Sequence, residues 1–237
     1  MSARSALVVR GGWEGHHPIE STTLFIPFLE EQGYEIRVEE SPTVYADGQV
    51  MAGTDLIVQC VTMSEITQDQ VEGLRAAVAA GTGLTGWHGG IADSYRGSSD
   101  YLQLVGGQFA THPSREPSTL VEGSEQNNYL DYTVEITELG RRHPITEGIA
   151  SFQLTTEQYW VLHDDLNDVL ATTTHPSQPW HPWHRPITSP AIWTRHWGEG
   201  RIVVTTPGHS LEILRNPNVR TVIERGMLWA TRTASAS

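Results

Sequence analysis

Lysine is absent from this chain of 237 residues, so every one of its 15 basic side chains is an arginine. That absence excludes Schiff-base catalysis and the phosphate-binding lysine of a P-loop. Positive charge is scarce as well: 15 Lys and Arg stand against 28 Asp and Glu, a formal net charge of −13. Non-specific binding to nucleic acid or to an anionic membrane is excluded on that balance. Cysteine occurs once, at Cys60, so no internal disulfide can form, in keeping with a reducing compartment. Its setting in Leu56-Ile57-Val58-Gln59-Cys60 reads as the end of a buried strand, which favours a small core residue over a reactive thiol. Long apolar runs are missing too. Ala6-Leu7-Val8-Val9 is too short for a signal-peptide core and nothing approaches a membrane span, so a cytoplasmic protein with no membrane partner is expected.

The most informative stretch that is present is Gly86-Trp87-His88-Gly89-Gly90. It ends a short apolar run, and its glycines suit a sharp strand-to-helix turn with one exposed side chain at the tip. A nucleophile elbow carries Ser or Cys there. Histidine at that point directs the chemistry to binding, metal ligation or proton movement.

The pattern along the chain predicts an α/β fold. Ser5–Val9 reads as a buried first strand opening into a glycine loop that carries His16 and His17. A helix is expected from about Glu20 to Gln32, with Pro27 at odds with a helix interior. Glu35–Glu39 alternates like an edge strand, Asp55–Cys60 is the next strand, and Thr67-Gln68-Asp69-Gln70 forms a capping box for a helix with Val71, Leu74 and Val78 on its core face. Leu84–Trp87 then leads to His88. Such an order predicts a doubly wound, mostly parallel sheet with helices on both faces, whose ligands bind at the carboxyl ends of the strands. Farther on, Tyr129–Ile136, Asp168–Thr172, Ala191–Trp193 and Arg201–Thr206 read as strands, and Asn216-Pro217 starts a helix with Val219, Val222, Ile223 and Met227 facing inward. The proline, histidine and tryptophan run from His175 to Pro190, with Trp180, Trp183, His181 and His184, reads as an extended surface loop, a lid or an oligomer contact. One domain is expected over residues 1–237.

Several segments, in order, carry a family resemblance: Gly86-Trp87-His88-Gly89-Gly90, Gly106-Gly107-Gln108-Phe109 with His112-Pro113, Glu157-Gln158-Tyr159-Trp160, Pro190-Ala191-Ile192-Trp193-Thr194-Arg195, Gly198-Glu199-Gly200-Arg201, Pro207-Gly208-His209 and Arg225-Gly226-Met227-Leu228-Trp229-Ala230. On these the chain resembles the ThuA-like, or trehalose-utilisation, proteins. The resemblance implies a flavodoxin-like sheet of the class I glutamine amidotransferase type and a role in the use of trehalose or related disaccharides through 3-keto sugars. It also implies that glutaminase activity is absent, because His88 replaces the elbow cysteine.

The candidate site follows. His88, His112, His209 and one of His16 or His17 lie in turns after expected strands, and such turns converge on one crevice. With Glu157 they form a set suited to Zn or Mn, the metal ligands expected being His88, His112 and His209; a metal-free polar pocket is the alternative. For keto-sugar chemistry the catalytic residues expected are His88, Glu157 and His209, with Glu157 as base and an imidazole, a metal or the backbone N–H groups of Gly89 and Gly90 holding the oxyanion. A structural ion pair of Glu157 with Arg195 or Arg201 is the competing reading, as is a helix-cap role for His209. Substrate contacts are expected from His16, His17, Trp87, Gly89, Gly90, Tyr159 and Trp160, the aromatic rings stacking on sugar faces. Partners are then a small carbohydrate, no nucleic acid and, as an open expectation, a second copy of the chain. The rival function is a non-catalytic sugar-binding or scaffold module on the same shape.

Overall fold

The computed structural model describes residues 4–233; the ends of the span expected for the domain, residues 1–3 and 234–237, lie outside it. In chain order the elements are β1 (Arg4–Gly12), α1 (Pro18–Thr23), α2 (Ile26–Glu31), β2 (Tyr34–Glu39), α3 (Gly48–Ala52), β3 (Leu56–Thr62), α4 (Gln68–Ala79), β4 (Gly83–Trp87), α5 (Gly89–Ala92), α6 (Ser99–Val105) and β5 (Gly107–Thr111). They continue with β6 (Tyr129–Ile136), β7 (Phe152–Glu157), β8 (Trp160–His163), β9 (Asp168–His175), β10 (Ile187–Trp197), β11 (Gly200–Thr205), α7 (Leu211–Arg215) and α8 (Pro217–Ala230).

A mixed sheet of nine strands, ordered β2-β1-β3-β4-β11-β10-β9-β6-β7, forms the frame, and β5 pairs with β8 apart from it. The strands from β2 to β11 in that order run parallel, whereas the pairings from β11 to β7 are antiparallel. The sheet is therefore parallel in the four amino-terminal strands and β11, and antiparallel beyond them. Consecutive side chains of β1 and β3 point to opposite faces, and both faces are apolar because both are covered. Ala6, Val8, Leu56 and Val58 join Phe25, Leu29 and the Val219, Val222, Ile223 and Met227 stripe of α8. Leu7, Val9 and Ile57 join Val71, Leu74 and Val78 of α4 on the other face. Each of the larger of these side chains, Val, Leu, Ile, Phe or Met, contributes about 1.5–3 kcal/mol on burial.

Local chemistry explains the places where the elements depart from expectation. The helix expected over 20–32 is two helices, and Pro27 sits in the first turn of the second, where its missing N–H costs nothing. The capping box at Thr67 and Gln70 is present, as is the Asn216 cap, whose side chain accepts from the N–H groups of Asn218 and Val219. The expected loop from His175 to Pro190 is shorter: β10 begins at Ile187 and pairs with β9 as the second arm of a hairpin. Pro190 is accommodated because the ladder is irregular there, with a register shift between Pro190 and Ile192. The remaining loop is fixed by aromatic packing. The His181 ring stacks on Trp183 at 4.2 Å, and Trp183 meets Trp160 edge-on at 5.3 Å.

Among the described residues, no helix is long and apolar enough to cross a membrane.

Candidate functional site

His88 stands at the tip of the turn between β4 and α5, with φ 49° and ψ −139°. A histidine rarely adopts a positive φ, and its neighbours enforce it. A Cβ on Gly86 would lie 2.4 Å from the Gln59 carbonyl oxygen, and one on Gly89 would lie 2.5 Å from Cε1 of His16. Gly90 packs in the same way against Cys60, where a Cβ would come within 2.8 Å of the Cys60 Cα. Beneath the turn lies a buried polar network. The Gln59 amide donates to Tyr101 Oη (2.6 Å) and Ser94 Oγ (3.0 Å), and its oxygen accepts from Tyr45 Oη at 2.8 Å. A fully satisfied network of this kind rigidifies the turn it supports.

Other elements bring their residues to this tip. The β1 loop delivers His16, because His17 adopts a left-handed conformation at φ 47° that sends the two neighbouring side chains apart: His16 is buried and His17 is exposed. The loop after β11 delivers His209. Glu157 comes from the end of β7, on the opposite edge of the sheet, so the β6–β7 hairpin must fold across the strand ends to reach His88. The rings of His16 and His88 are 4.6 Å apart, and each lies 5.3 Å from that of His209. Oε2 of Glu157 is 3.0 Å from His88 Nε2, 3.0 Å from His209 Nδ1 and 3.5 Å from His112 Nε2. Oε1 has a different neighbour, the Asn128 amide, which donates to it at 3.4 Å. One donor atom each of His16, His88, Glu157 and His209 lie within 4.8 Å of one another, and none of these residues is more than 8 % exposed.

The hydrogen bonds fix which ring nitrogens carry protons. A backbone carbonyl only accepts, so His88 Nδ1–H donates to the Thr206 oxygen (2.8 Å) and His112 Nδ1–H to the Gln158 oxygen (3.2 Å). In the neutral rings, Nε2 of both residues then presents a lone pair to the Glu157 carboxylate. His16 Nδ1 is engaged by Thr62 Oγ1 at 3.0 Å. Burial lowers the pKa of His88 and His112 and holds His16 down at about 2, the neighbouring imidazoles adding to the effect. For Glu157 burial raises the pKa, and a proton shared from His209 or His88 would outweigh it and hold the carboxyl below the usual range. The centre is thus a carboxylate beside His209 and three imidazoles, His16, His88 and His112, that resist protonation.

Not all the expected contacts converge. Trp87 is buried beneath the turn, its ring 4.9 Å from Phe25. Tyr159 packs against His88 at 4.3 Å with its ring tilted by 33° and is itself buried, so it backs the imidazole. Trp160 belongs to the Trp183 cluster. Neither arginine weighed as a partner for Glu157 reaches it: Arg195 pairs with Asp164 at 2.6 Å, and Arg201 donates to the Thr231 carbonyl at 2.5 Å. Asp164 is the counter-ion of that buried guanidinium. Cys60 is buried, and burial pushes its thiol up to about 11, an inert state.

Sequence reasoning passed over Asn128, Tyr129, Thr206 and Gln59. Only Gln59 leaves a signal, as an amide inside an apolar strand. Tyr129 packs edge-on against His209 at 5.5 Å and, with His17, Gln126, Thr155, Ser210 and Glu212, lines a crevice of about 420 Å³ beside the cluster.

A mixed α/β sheet that offers a strained histidine elbow to a buried carboxylate defines the class: an α/β protein with an imidazole–carboxylate centre. The family profile described as ThuA, trehalose utilisation, matches residues 5–230. This chain belongs to the ThuA family, which places it in carbohydrate metabolism. Among solved structures it is similar to a ThuA-like protein from Parabacteroides merdae, at 15 % identity and TM-score 0.70 over 99 % of this chain and 93 % of that one. A ThuA-like protein from Bacteroides uniformis matches at 15 % identity and TM-score 0.69, over 96 % and 91 %. A cytoplasmic protein from Salmonella typhimurium matches at 12 % identity and TM-score 0.64, over 96 % and 100 %. At these identities the likeness is one of fold. No curated protein matches the sequence.

Proposed function

We propose that this protein acts on a disaccharide of the trehalose type, as its 3-keto derivative, by proton transfer at the Glu157 centre. The observation that carries the reading is the asymmetry of the carboxylate. Oε2 is enclosed by imidazoles on three sides, while Oε1 meets only an Asn128 amide. A carboxylate enclosed at one oxygen keeps the other for the substrate. Glu157 removes the proton from the carbon beside the carbonyl, the bonding pair moves to the carbonyl oxygen as an enolate, and the proton resides on the carboxyl until it is returned or passed on. Tyr129, Gln126 and Ser210 in the adjoining crevice supply an aromatic face and polar groups of the kind that hold sugars, in a volume within the range of small-molecule sites. The order β2-β1-β3-β4-β11 with helices on both faces supports a doubly wound, flavodoxin-like ancestry, and histidine in place of an elbow cysteine supports a loss of glutaminase chemistry. We take the chain to work as a single domain.

The test is turnover of 3-keto-disaccharides by the purified protein, with and without Zn²⁺ or Mn²⁺. Product formation that His88→Ala abolishes is expected. Ligand-induced thermal stabilisation with no product under any condition would leave a sugar-binding module in its place.

A further inference from the structure

We infer that His16, His88, Glu157 and His209 hold one divalent first-row metal ion, with Zn²⁺ the best match to three imidazole nitrogens and one carboxylate oxygen. This rests on the reading of the centre as reactive and adds the electrophile that reading lacks.

The argument starts from lone pairs. His88 Nδ1 is committed as a donor to the Thr206 carbonyl, so a neutral His88 aims the lone pair of Nε2 at Glu157 Oε2 from 3.0 Å. His112 does the same from 3.5 Å. Two electron-rich nitrogens facing an anionic oxygen in a buried site repel each other unless a cation sits among them. A second observation is independent of the first. His209 Nδ1 is buried and makes no hydrogen bond, although it is 3.0 Å from the same carboxylate oxygen. It is aimed at the cluster but out of line for donation, as a nitrogen placed to bind an ion would be.

The surroundings have the form of a metal ligand shell. A ligating histidine donates its other N–H to an oxygen that fixes the tautomer. Thr206 does this for His88, and Thr62 engages Nδ1 of His16, leaving Nε2 of each ring for the ion. Glycine at 89 lets the His16 ring come close enough, since a Cβ there would overlap it. His112, expected from sequence as a ligand, stands outside the set as the more exposed wall of the site, 20 % exposed at its side chain. Bound next to Glu157, the ion would polarise the ketone oxygen while Oε1 of Glu157 takes the proton.

The protein is stripped with a chelator, reloaded with Zn²⁺, desalted and assayed for metal. About one ion per chain is expected, with a rise in Tm of roughly 5–10 °C at a hundredfold excess over Kd. Replacement by Co²⁺ is expected to give the visible absorption of a nitrogen- and oxygen-ligated ion. Glu157→Gln and His209→Gln should each lose the ion and the Co²⁺ bands while remaining folded by circular dichroism. His175→Asn, in the separate Trp183 cluster, should retain both. Metal content near zero in folded wild-type protein, or an ion lost in His175→Asn but kept in His209→Gln, overturns the inference. No sugar enters this experiment, so metal binding without turnover refutes only the functional reading, and turnover by a protein that takes up no metal on reloading refutes only the ion.

Discussion

Acidifying the metal-free protein sets two effects against each other, and their magnitudes decide the outcome. The net charge of −13 and the isoelectric point near 5.2 mean that lowering the pH toward 5 relieves like-charge repulsion and should stabilise the fold. The buried histidines act in the opposite sense. Burial holds His16 at about 2 and His175 at about 4, against about 6.5 in an unfolded chain. At pH 5 the unfolded chain therefore binds a proton at each position and the folded chain does not. Stability contributed by these groups is complete above the unfolded value and is lost as pH falls below it. A fully shifted histidine contributes about 1.4 kcal/mol per pH unit and His175 somewhat less as its folded value of about 4 is approached, so the pair gives a fall of about 2.5 kcal/mol between pH 5.5 and 4.5. The lowered pKa values of His88 and His112 add in the same direction. Surface repulsion is screened beyond about 10 Å at 0.1 M salt, so the histidines should win. Glu157, whose pKa is depressed, contributes stability that is present above its unfolded value of about 4.3 and lost below it, so it adds only a small fall in the same direction at the lower end of this window. Urea unfolding of chelator-treated protein at pH 7.5, 5.5 and 4.5 measures the slope, and His16→Asn should reduce it by about 1.4 kcal/mol per unit. A stability that is flat or rising from pH 5.5 to 4.5 would show that the imidazoles accept protons in the folded state and would refute the reasoning.

Three substitutions test how the centre is supported. Gln59→Leu strands the Tyr45 hydroxyl and takes a donor from Tyr101, which keeps its bond to the Ile91 carbonyl; it should cost about 1–3 kcal/mol by urea titration, with activity lost through movement of the His88 turn. Gly89→Ala forces a methyl group onto the His16 ring; a loss of roughly 1–3 kcal/mol is expected, with Zn²⁺ affinity falling more than tenfold by calorimetry. Asp164→Asn weakens the partner of the buried Arg195 guanidinium, and a drop of about 1–3 kcal/mol should appear as a lower Tm with metal stoichiometry unchanged, because the pair lies away from the cluster.

The parallel half was legible from sequence because its signals are local. The alternation of buried faces in β1 and β3, the Thr67 capping box and the glycines around His88 each reflect a constraint that neighbouring residues impose. The antiparallel half was less so. Pro190 argues against a strand, and only the irregular ladder beside β9 lets β10 run through it. The site was legible in membership more than in arrangement. His88, His209 and Glu157 were identifiable by type and setting, but the contact between Glu157 and His88 depends on a hairpin from the far edge of the sheet crossing the strand ends. The choice between His16 and His17 turns on one left-handed backbone conformation, which a pair of adjacent histidines does not reveal.

Deuterium wash-in at the carbon beside the carbonyl of a 3-keto-disaccharide, followed by proton NMR in D₂O, reports proton abstraction directly and needs no assumption about the later steps. Exchange catalysed by the wild-type protein and reduced at least about a hundredfold in Glu157→Gln is the predicted result. Equal exchange in the two proteins, or none above background in the wild type, would contradict the assignment of Glu157 as the base.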